Sequence, residues 1–170
     1  SSFNGAIVKV VASKAPIRSV VAAYGTDGQT YTGFFVLEES PIRAARDLIG
    51  KTVAVNTLGA HSEFALRDYL TRAGLTPAEI AQVTVLPLPA PQSELALRRR
   101  QVHVANLQNV FRDTALARGG VRKLFTDEEL WGRFNAGSYV MSERFIAKHP
   151  RTARKFVEAL GRAQAWSREQ

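Results

Sequence analysis

The chain has 170 residues, of which 45% are hydrophobic and 22% are charged, so it is long enough to bury a hydrophobic core. It has no cysteine, which excludes disulfides, thiolate nucleophiles and cysteine-based metal sites. The net charge of +8 suits an acidic partner, but the basic residues are scattered, and no aromatic residues are interleaved with the one tight run, Arg98–Arg100. We therefore expect no nucleic-acid partner and interpret this run as a solvated helix end.

Apolar periodicity and turn-forming residues predict the elements of the first part of the chain. They are a helix over 3–15, strands over 17–24 and 31–38, and a short helix over 44–48. Pro16 ends the first helix, because proline cannot continue helical hydrogen bonding, and Gly50 ends the short one. Ser1 or Ser2 is placed to cap the first helix.

From Lys51 onward, strands and helices alternate. The predicted strands are 52–55, 83–86, 102–107 and 121–125, and the helices between them are 61–73, 92–99 and 109–118. Such alternation is typical of an α/β fold with a mainly parallel sheet that helices cover on both faces. The last elements are a strand over 137–141, a helix over 142–148 and a helix that begins at Pro150.

The sequence shows neither a membrane-spanning segment nor the pattern of a secretory leader. No apolar run is long enough to span a bilayer, so we expect a protein that does not cross the membrane. Residues 1–15 have neither the basic segment nor the cleavage pattern of a secretory leader. The sequence therefore predicts either a cytoplasmic protein or an exported one whose leader has been removed.

The loop between the strand 52–55 and the helix that starts at His61 is the candidate binding loop. In an open parallel sheet, ligands bind beyond the carboxyl ends of the strands. The N–H groups and the dipole at the start of the following helix favour an anion, and Gly59 allows close backbone approach. The spacing alone supports two interpretations equally: ligand binding, or capping of the helix by Asn56 and Ser62.

Residues 40–75, SPIRAARDLIGKTVAVNTLGAHSEFALRDYLTRAGL, resemble the nitrate/sulfonate/taurine group of ABC-transporter solute-binding proteins, the NMT1-like family. They match the family's pattern I-x-x-x-x-D-L-x-G-K-x-V-A, followed by a small-residue loop, a helix and A-G-L. Residues 95–104 (LALRRRQVHV) resemble its A-L-x-x-G-x-V-D-A segment. Residues 145–157 (FIAKHPRTARKFV) resemble its F-x-x-x-x-P-x-x-V-x-x-F helix pair. The resemblance covers nearly the whole chain.

The chain departs from the family pattern at several positions. Arg100 stands where the pattern has glycine, and His103 stands where it has aspartate. The segment 107–109, Leu-Gln-Asn, replaces a Trp-Asp/Glu-Pro signature. The resemblance therefore does not imply sulfonate specificity.

The resemblance implies a two-lobed type II periplasmic-binding-protein fold of the α/β class, with mainly parallel sheets. It places 1–42 and 128–170 in the first lobe and 43–127 in the second lobe. The family begins with a βαβα unit upstream of the segments matched here, so we expect the first lobe to be incomplete.

The implied function is that of the solute-binding component of an ABC importer. Such a protein would hold a small anionic or polar organic ligand, such as a sulfonate, nitrate or taurine, in the interlobe cleft and pass it to the permease. We expect it to be periplasmic or otherwise extracytoplasmic, monomeric, not an enzyme, and without a cofactor.

Strand-to-helix geometry and the resemblance together indicate the candidate ligand-binding residues. They are Ser2, Asn4, Tyr24, Tyr31, Asn56, Thr57, Gly59, Ala60, His61, Ser62, Asn106 and Asn109. For His61 a structural role is equally consistent with the sequence, and for Tyr31 core packing is the alternative. We interpret His103 and His149 as structural, and with no paired acidic cluster we expect no metal site.

Two other function classes use similar folds. Thiamin-pyrimidine synthases resemble these binding proteins but carry a cysteine-rich CCCFC motif, which this chain lacks. A ligand-sensing regulatory domain would be accompanied by a helix-turn-helix segment, and none is visible. The sequence also has no G-x-S-x-G, Walker A or G-x-G-x-x-G motif.

Overall fold

The computed structural model describes residues 2–169, so Ser1, which was considered as a helix cap, lies outside the described residues. The strands are β1 (Ser2–Phe3), β2 (Ile17–Thr26), β3 (Thr32–Leu37), β4 (Thr52–Val55), β5 (Thr84–Pro87), β6 (Val104–Gln108), β7 (Val121–Thr126) and β8 (Phe134–Ser142). The α-helices are α1 (Asn4–Ala12), α2 (His61–Arg72), α3 (Pro77–Ile80), α4 (Ala90–Arg98), α5 (Asn109–Arg118), α6 (Asp127–Trp131), α7 (Glu143–Lys148) and α8 (Pro150–Arg168), and Ala45–Leu48 is a 3₁₀ helix.

The chain divides into two compact units. One, here called the central unit, is Thr26–Phe134. The other, the flanking unit, consists of the described residues up to Gly25 and from Asn135 onward. Each unit contains one β-sheet.

The central unit is built on a five-stranded sheet in the order β5-β4-β6-β3-β7. Side chains alternate between its faces, so Phe34 and Phe35 belong to two different hydrophobic clusters. The first cluster includes Leu66 and Leu70 of α2, and the second includes Leu97 of α4. The sheet is therefore covered by helices on both faces, as the α/β pattern predicts.

The strand directions correct one expectation. Strand β4 is parallel to both β5 and β6, but β3 is antiparallel to both β6 and β7. The sheet of the central unit is therefore mixed and not mainly parallel. Strand β3 was also assigned with residues 1–42 to the first lobe, whereas it pairs inside the central sheet. Its residues Phe34–Val36 are apolar on both faces and fully buried, so they need a sheet that is covered on both sides.

The flanking unit contains a three-stranded sheet in the order β1-β8-β2, in which β1 is antiparallel to β8. Helices α1, α7 and α8 belong to the same unit. Its buried apolar residues among those described are Ile7, Ala136 and Ala153.

Two short helices, α3 and α6, were not predicted. Each begins with a capping box, in which a threonine and the glutamate three residues later exchange hydrogen bonds. The residues are Thr76 with Glu79 and Thr126 with Glu129. The signal Thr-x-x-Glu was thus present in the sequence and would have found both helices.

Candidate functional site

Three polar residues meet at the sheet edge formed by the carboxyl ends of β4 and β6, and we call them the Asn–Ser–Asn cluster: Asn56, Ser62 and Asn106. Asn56 follows β4, Ser62 lies in the first turn of α2, and Asn106 lies in β6. Ser62 Oγ lies 3.1 Å from Asn56 Oδ1 and 2.7 Å from Asn106 Oδ1. Because β4 and β6 are parallel neighbours, their carboxyl ends share one edge of the sheet. The structure thus brings together three residues that the sequence placed at this edge.

The cluster has a buried part and an exposed part. Ser62 and Asn106 are buried, and Asn106 Nδ2 donates to the carbonyl oxygen of Gly33 at 3.1 Å, which sets the orientation of its amide. Ser62 has a single hydroxyl hydrogen and donates it to the neighbouring amide oxygens. Asn56 is exposed. It is therefore the member whose amide can hydrogen-bond a molecule from solution.

The loop 57–60 is hydrogen-bonded to a carboxylate of the same chain, that of Glu63. Gly59 N–H donates to Glu63 Oε2 at 2.7 Å, and Arg67 Nε donates to Glu63 Oε1 at 2.7 Å. The anion expected at Gly59 is thus supplied by the first turn of α2, where the helix dipole favours an acidic side chain. The φ angle of Gly59 is +71°, a left-handed conformation that favours glycine. The backbone conformation therefore accounts for a glycine at this position. Any side chain larger than hydrogen would strain the backbone here, whether or not the loop binds a ligand.

The other two candidates in this loop differ in exposure. Thr57 is exposed, and Ala60, the N-cap residue of α2, is partly buried and makes no side-chain cap.

His61 contacts a buried carboxylate from a distant part of the chain. Its Nε2 lies 2.6 Å from Asp127 Oδ2, and Asp127 is fully buried. The same carboxylate accepts from Thr26 Oγ1 at 3.1 Å and from Thr32 N–H at 2.9 Å. This geometry supports the structural interpretation of His61, because Nε2 is used inside the protein.

Sequence reasoning missed Asp127 and the aromatic residues beside His61. The His61 ring lies 5.7 Å from Trp131 and 6.1 Å from Phe134, measured between ring centroids. Trp131 Nε1 donates to Asp68 Oδ2 at 2.6 Å. The capping box at the start of α6 is the only local signal that could have placed Asp127 at a helix start.

Two further candidates of the central unit lie at the same edge of the sheet. The register pairs Thr32 with Gln108, so Tyr31 lies opposite the carboxyl end of β6, where Asn109 begins α5. Tyr31 is partly buried, and the Arg112 guanidinium lies 4.1 Å from its ring centroid and donates to its carbonyl oxygen at 3.0 Å. Tyr31 therefore packs in the structure, while Asn109 is exposed.

The remaining candidates all lie in the flanking unit: Ser2, Asn4 and Tyr24. Ser2 pairs with Ser138 in the β1–β8 ladder, and Ser138 Oγ donates to Asn4 Oδ1 at 2.8 Å. Asn4 Nδ2 donates to the carbonyl oxygen of Asn135 at 2.8 Å. Tyr24 is 44% exposed, and partial burial raises the pKa of its hydroxyl. Both polar atoms of the Asn4 amide are thus engaged inside this unit.

Residues 37–170, well over half of the chain, match the sequence profile of the NMT1-like family. The chain belongs to the NMT1-like family. A comparison with curated proteins finds no match to this NMT1-like chain.

Solved structures show which fold this NMT1-like chain has. The periplasmic aliphatic sulphonate binding protein SsuA from Escherichia coli is similar with a TM-score of 0.70 and 22% identity, over 97% of this chain and 53% of that one. SsuA from Xanthomonas axonopodis pv. citri, an alkanesulfonate-binding protein bound to MOPS, has a TM-score of 0.73 and 20% identity, over 95% and 53%. The nitrate-binding protein NrtA from Synechocystis PCC 6803 has a TM-score of 0.63 and 14% identity, over 84% and 38%.

These similarities confirm the periplasmic-binding-protein fold. The NMT1-like chain spans about half the length of the two sulfonate-binding proteins. Within residues 2–169, no helix is long and apolar enough to cross a membrane. The same described residues contain no group of three acidic or histidine side chains that could hold a metal ion.

Proposed function

We propose that this chain is part of the solute-binding component of an ABC importer and binds a small anionic or polar organic ligand. The observation that carries the proposal is the Asn–Ser–Asn cluster at the carboxyl ends of β4 and β6 in a member of the NMT1-like family. Similar structures include proteins described as binding sulfonate and nitrate, which favours this ligand class. Delivery to a permease outside the cytoplasm belongs to the same proposal.

The ligand contact that we assign to this cluster is the Asn56 amide. The side-chain NH2 group of Asn56 is a hydrogen-bond donor, so it suits oxygen-rich acceptors such as nitrate or sulfonate, while Asn56 Oδ1 accepts from Ser62. The two buried members hold it in place through Ser62 Oγ. Glu63 lies close to the loop, but Arg67 offsets its charge, so the site relies on neutral hydrogen bonds. The expectation that the ligand lies between two lobes stays a prediction.

Binding rather than catalysis fits the chemistry of this cluster. Ser62 Oγ is hydrogen-bonded to two amide oxygens, and an amide is too weak a base to activate a serine as a nucleophile. The contacts of Ser62 instead position Asn56.

The test is calorimetric titration of the purified chain with nitrate, methanesulfonate and taurine, after native mass spectrometry has searched for a co-purified small molecule. At least one of these ligands should bind, and Asn56→Ala should weaken its binding about tenfold, as expected for one lost hydrogen bond of about 1.4 kcal/mol. The control is Gln101→Ala, which removes an exposed polar side chain just before β6, near its amino end.

Equal affinity of wild type and Asn56→Ala would remove this cluster from the site. If none of the ligands binds and no molecule co-purifies, the proposed function itself would be wrong for this chain.

A further inference from the structure

A pocket of about 340 Å³ lies at the opposite edge of the central sheet, away from the Asn–Ser–Asn cluster. It is located at the amino ends of β4 and β6 and the carboxyl end of β3, entirely within the central unit. Its apolar lining, here called the floor, includes Leu37 together with the almost fully buried Leu97 and Val102. Its polar rim includes Lys51, Arg100 and His103. A pocket of this size is at the lower end of the range that small-molecule sites occupy.

One wall of the pocket is held rigidly by a single arginine. The segment 39–42 lines the pocket, and the Arg122 guanidinium donates to carbonyl oxygens along it. Its Nη2 lies 2.9 Å from the Ser40 oxygen and 2.6 Å from the Ile42 oxygen. Charge-assisted hydrogen bonds of this kind fix the path of a loop that has no regular structure. The pocket is therefore a built feature of the central unit.

The imidazole of His103 is also fixed. Thr52 N–H donates to His103 Nδ1 at 3.1 Å, and His103 N–H donates to the carbonyl oxygen of Thr52 at 2.9 Å. Because Nδ1 accepts a hydrogen bond, the neutral ring carries its hydrogen on Nε2. His103 therefore gives the rim a hydrogen-bond donor of fixed tautomer.

Arg100 is held at the rim with an unfavourable backbone. Its φ angle is +58°, a left-handed conformation that favours glycine. Its ion pair with Glu39, at 3.1 Å, joins side chains that are 76% and 59% exposed, and such exposed pairs contribute little stability. The pair therefore does not account for an arginine at this position. The left-handed backbone is that of a residue that terminates a helix, here α4, with Gln101 N–H bonded to the carbonyl oxygen of Ala96 at 2.9 Å. Helix termination thus explains the conformation and leaves the choice of an arginine side chain to the rim.

Lys51 adds a second cation to the rim. It is partly buried, and none of the ion pairs formed among residues 2–169 includes it. The rim thus combines two cations and the Nε2 donor of His103, against the single carboxylate of Glu39, above an apolar floor.

We propose that this pocket binds an organic carboxylate with a short aliphatic chain. The carboxylate lies at the polar rim and the chain lies on the apolar floor. The site is independent of the proposed solute-binding cluster, because the two lie at opposite ends of β4 and β6.

The test uses octanoate as the probe, with acetate, which lacks the chain, and octylamine, which lacks the anion, as comparisons. Amide NMR spectra of the whole chain are recorded during each titration. Octanoate should give saturable shifts centred on the rim and floor residues, and the two comparison compounds should bind at least tenfold more weakly. Equal binding of octylamine would show a merely apolar surface and would overturn the proposal.

Arg100→Gly separates a binding role from a structural one. It should raise the melting temperature, because glycine accepts the left-handed backbone, and it should weaken octanoate binding at least tenfold. Lys14→Gly is the matched control, since Lys14 also has a positive φ angle, +62°, but lies in the flanking unit. It should raise the melting temperature without changing octanoate affinity. If Arg100→Gly binds octanoate as wild type does, the site assignment is wrong.

Discussion

The two units of this protein bury their apolar residues to very different extents. The central unit has two hydrophobic clusters, one on each face of its sheet, with Phe34, Leu66 and Leu97 fully or almost fully buried. Large apolar side chains are exposed in both units, Val110 at 63% in the central unit and Val8 and Trp166 at 65% each in the flanking unit, but the two clusters of buried apolar residues both lie in the central unit. The comparison teaches that regular secondary structure alone does not make a core. Helix α8 has 19 residues, but length alone adds little stability to a helix. Helices and sheets gain most of their stability when their apolar faces are packed against another element.

The largest expected effect is on the core of the central unit. Phe34 is fully buried and stacks on Phe125 at 4.3 Å, so Phe34→Ala should lower the free energy of unfolding by about 3–5 kcal/mol. The matched change in the flanking unit, Phe156→Ala, removes a ring that is 43% exposed and should cost about 1 kcal/mol or less. Urea unfolding measures both. Equal losses would mean that the two units are packed equally well.

Breaking a polar network should lower the free energy of unfolding by a smaller amount, which again differs between the two units. Asp127→Ala would leave the Thr32 N–H and His61 Nε2 without their buried acceptor, so it should cost about 3 kcal/mol. Asn4→Ala, in the flanking unit, breaks bonds to Ser138 and Asn135 at a more accessible place and should cost about 1 kcal/mol. Thermal unfolding of both variants gives the values. A larger loss for Asn4→Ala would contradict the view that the central unit carries most of the stability.

The smallest expected effect is a loss of stability at acidic pH. Hydrogen bonds from the Arg43 and Ala44 N–H groups hold the pKa of Asp47 below its usual range. A lowered folded-state pKa means that the stabilisation is present above the ordinary aspartate pKa of about 3.9 and is lost as the pH falls through the folded-state pKa. The melting temperature of wild type should thus exceed that of Asp47→Asn by a constant margin at neutral pH.

That margin should narrow below about pH 4, where the unfolded chain takes up the proton first, and it should vanish once the pH has fallen below the folded-state pKa. A margin that stays constant down to pH 2 would show that the charge of Asp47 does not support the central unit.

Much of the candidate site was readable from local patterns. Strand β4 was predicted over its observed range, and helix α2 was predicted to begin at His61, where it does begin. Because polar residues lie at or beyond the carboxyl ends of the parallel strands, Asn56, Ser62 and Asn106 were expected at one edge, and the structure brings them into contact. That they belong to a ligand site stays a prediction. The hydrogen bond from Gly59 N–H to Glu63 is also local, four residues along the chain, and was not predicted.

Residues that are close in the chain thus settled the order of the elements, the polar edge of the central sheet and the resemblance to the NMT1-like family. Periodicity and capping act within a few residues, so one stretch of sequence contains the whole signal. Other features depended on partners far along the chain. Strand β3 entered the central sheet because its apolar faces needed cover from both sides, and His61 met Asp127 across 66 residues. No local pattern encodes such a meeting, since it exists only once the sheet and its helices have packed.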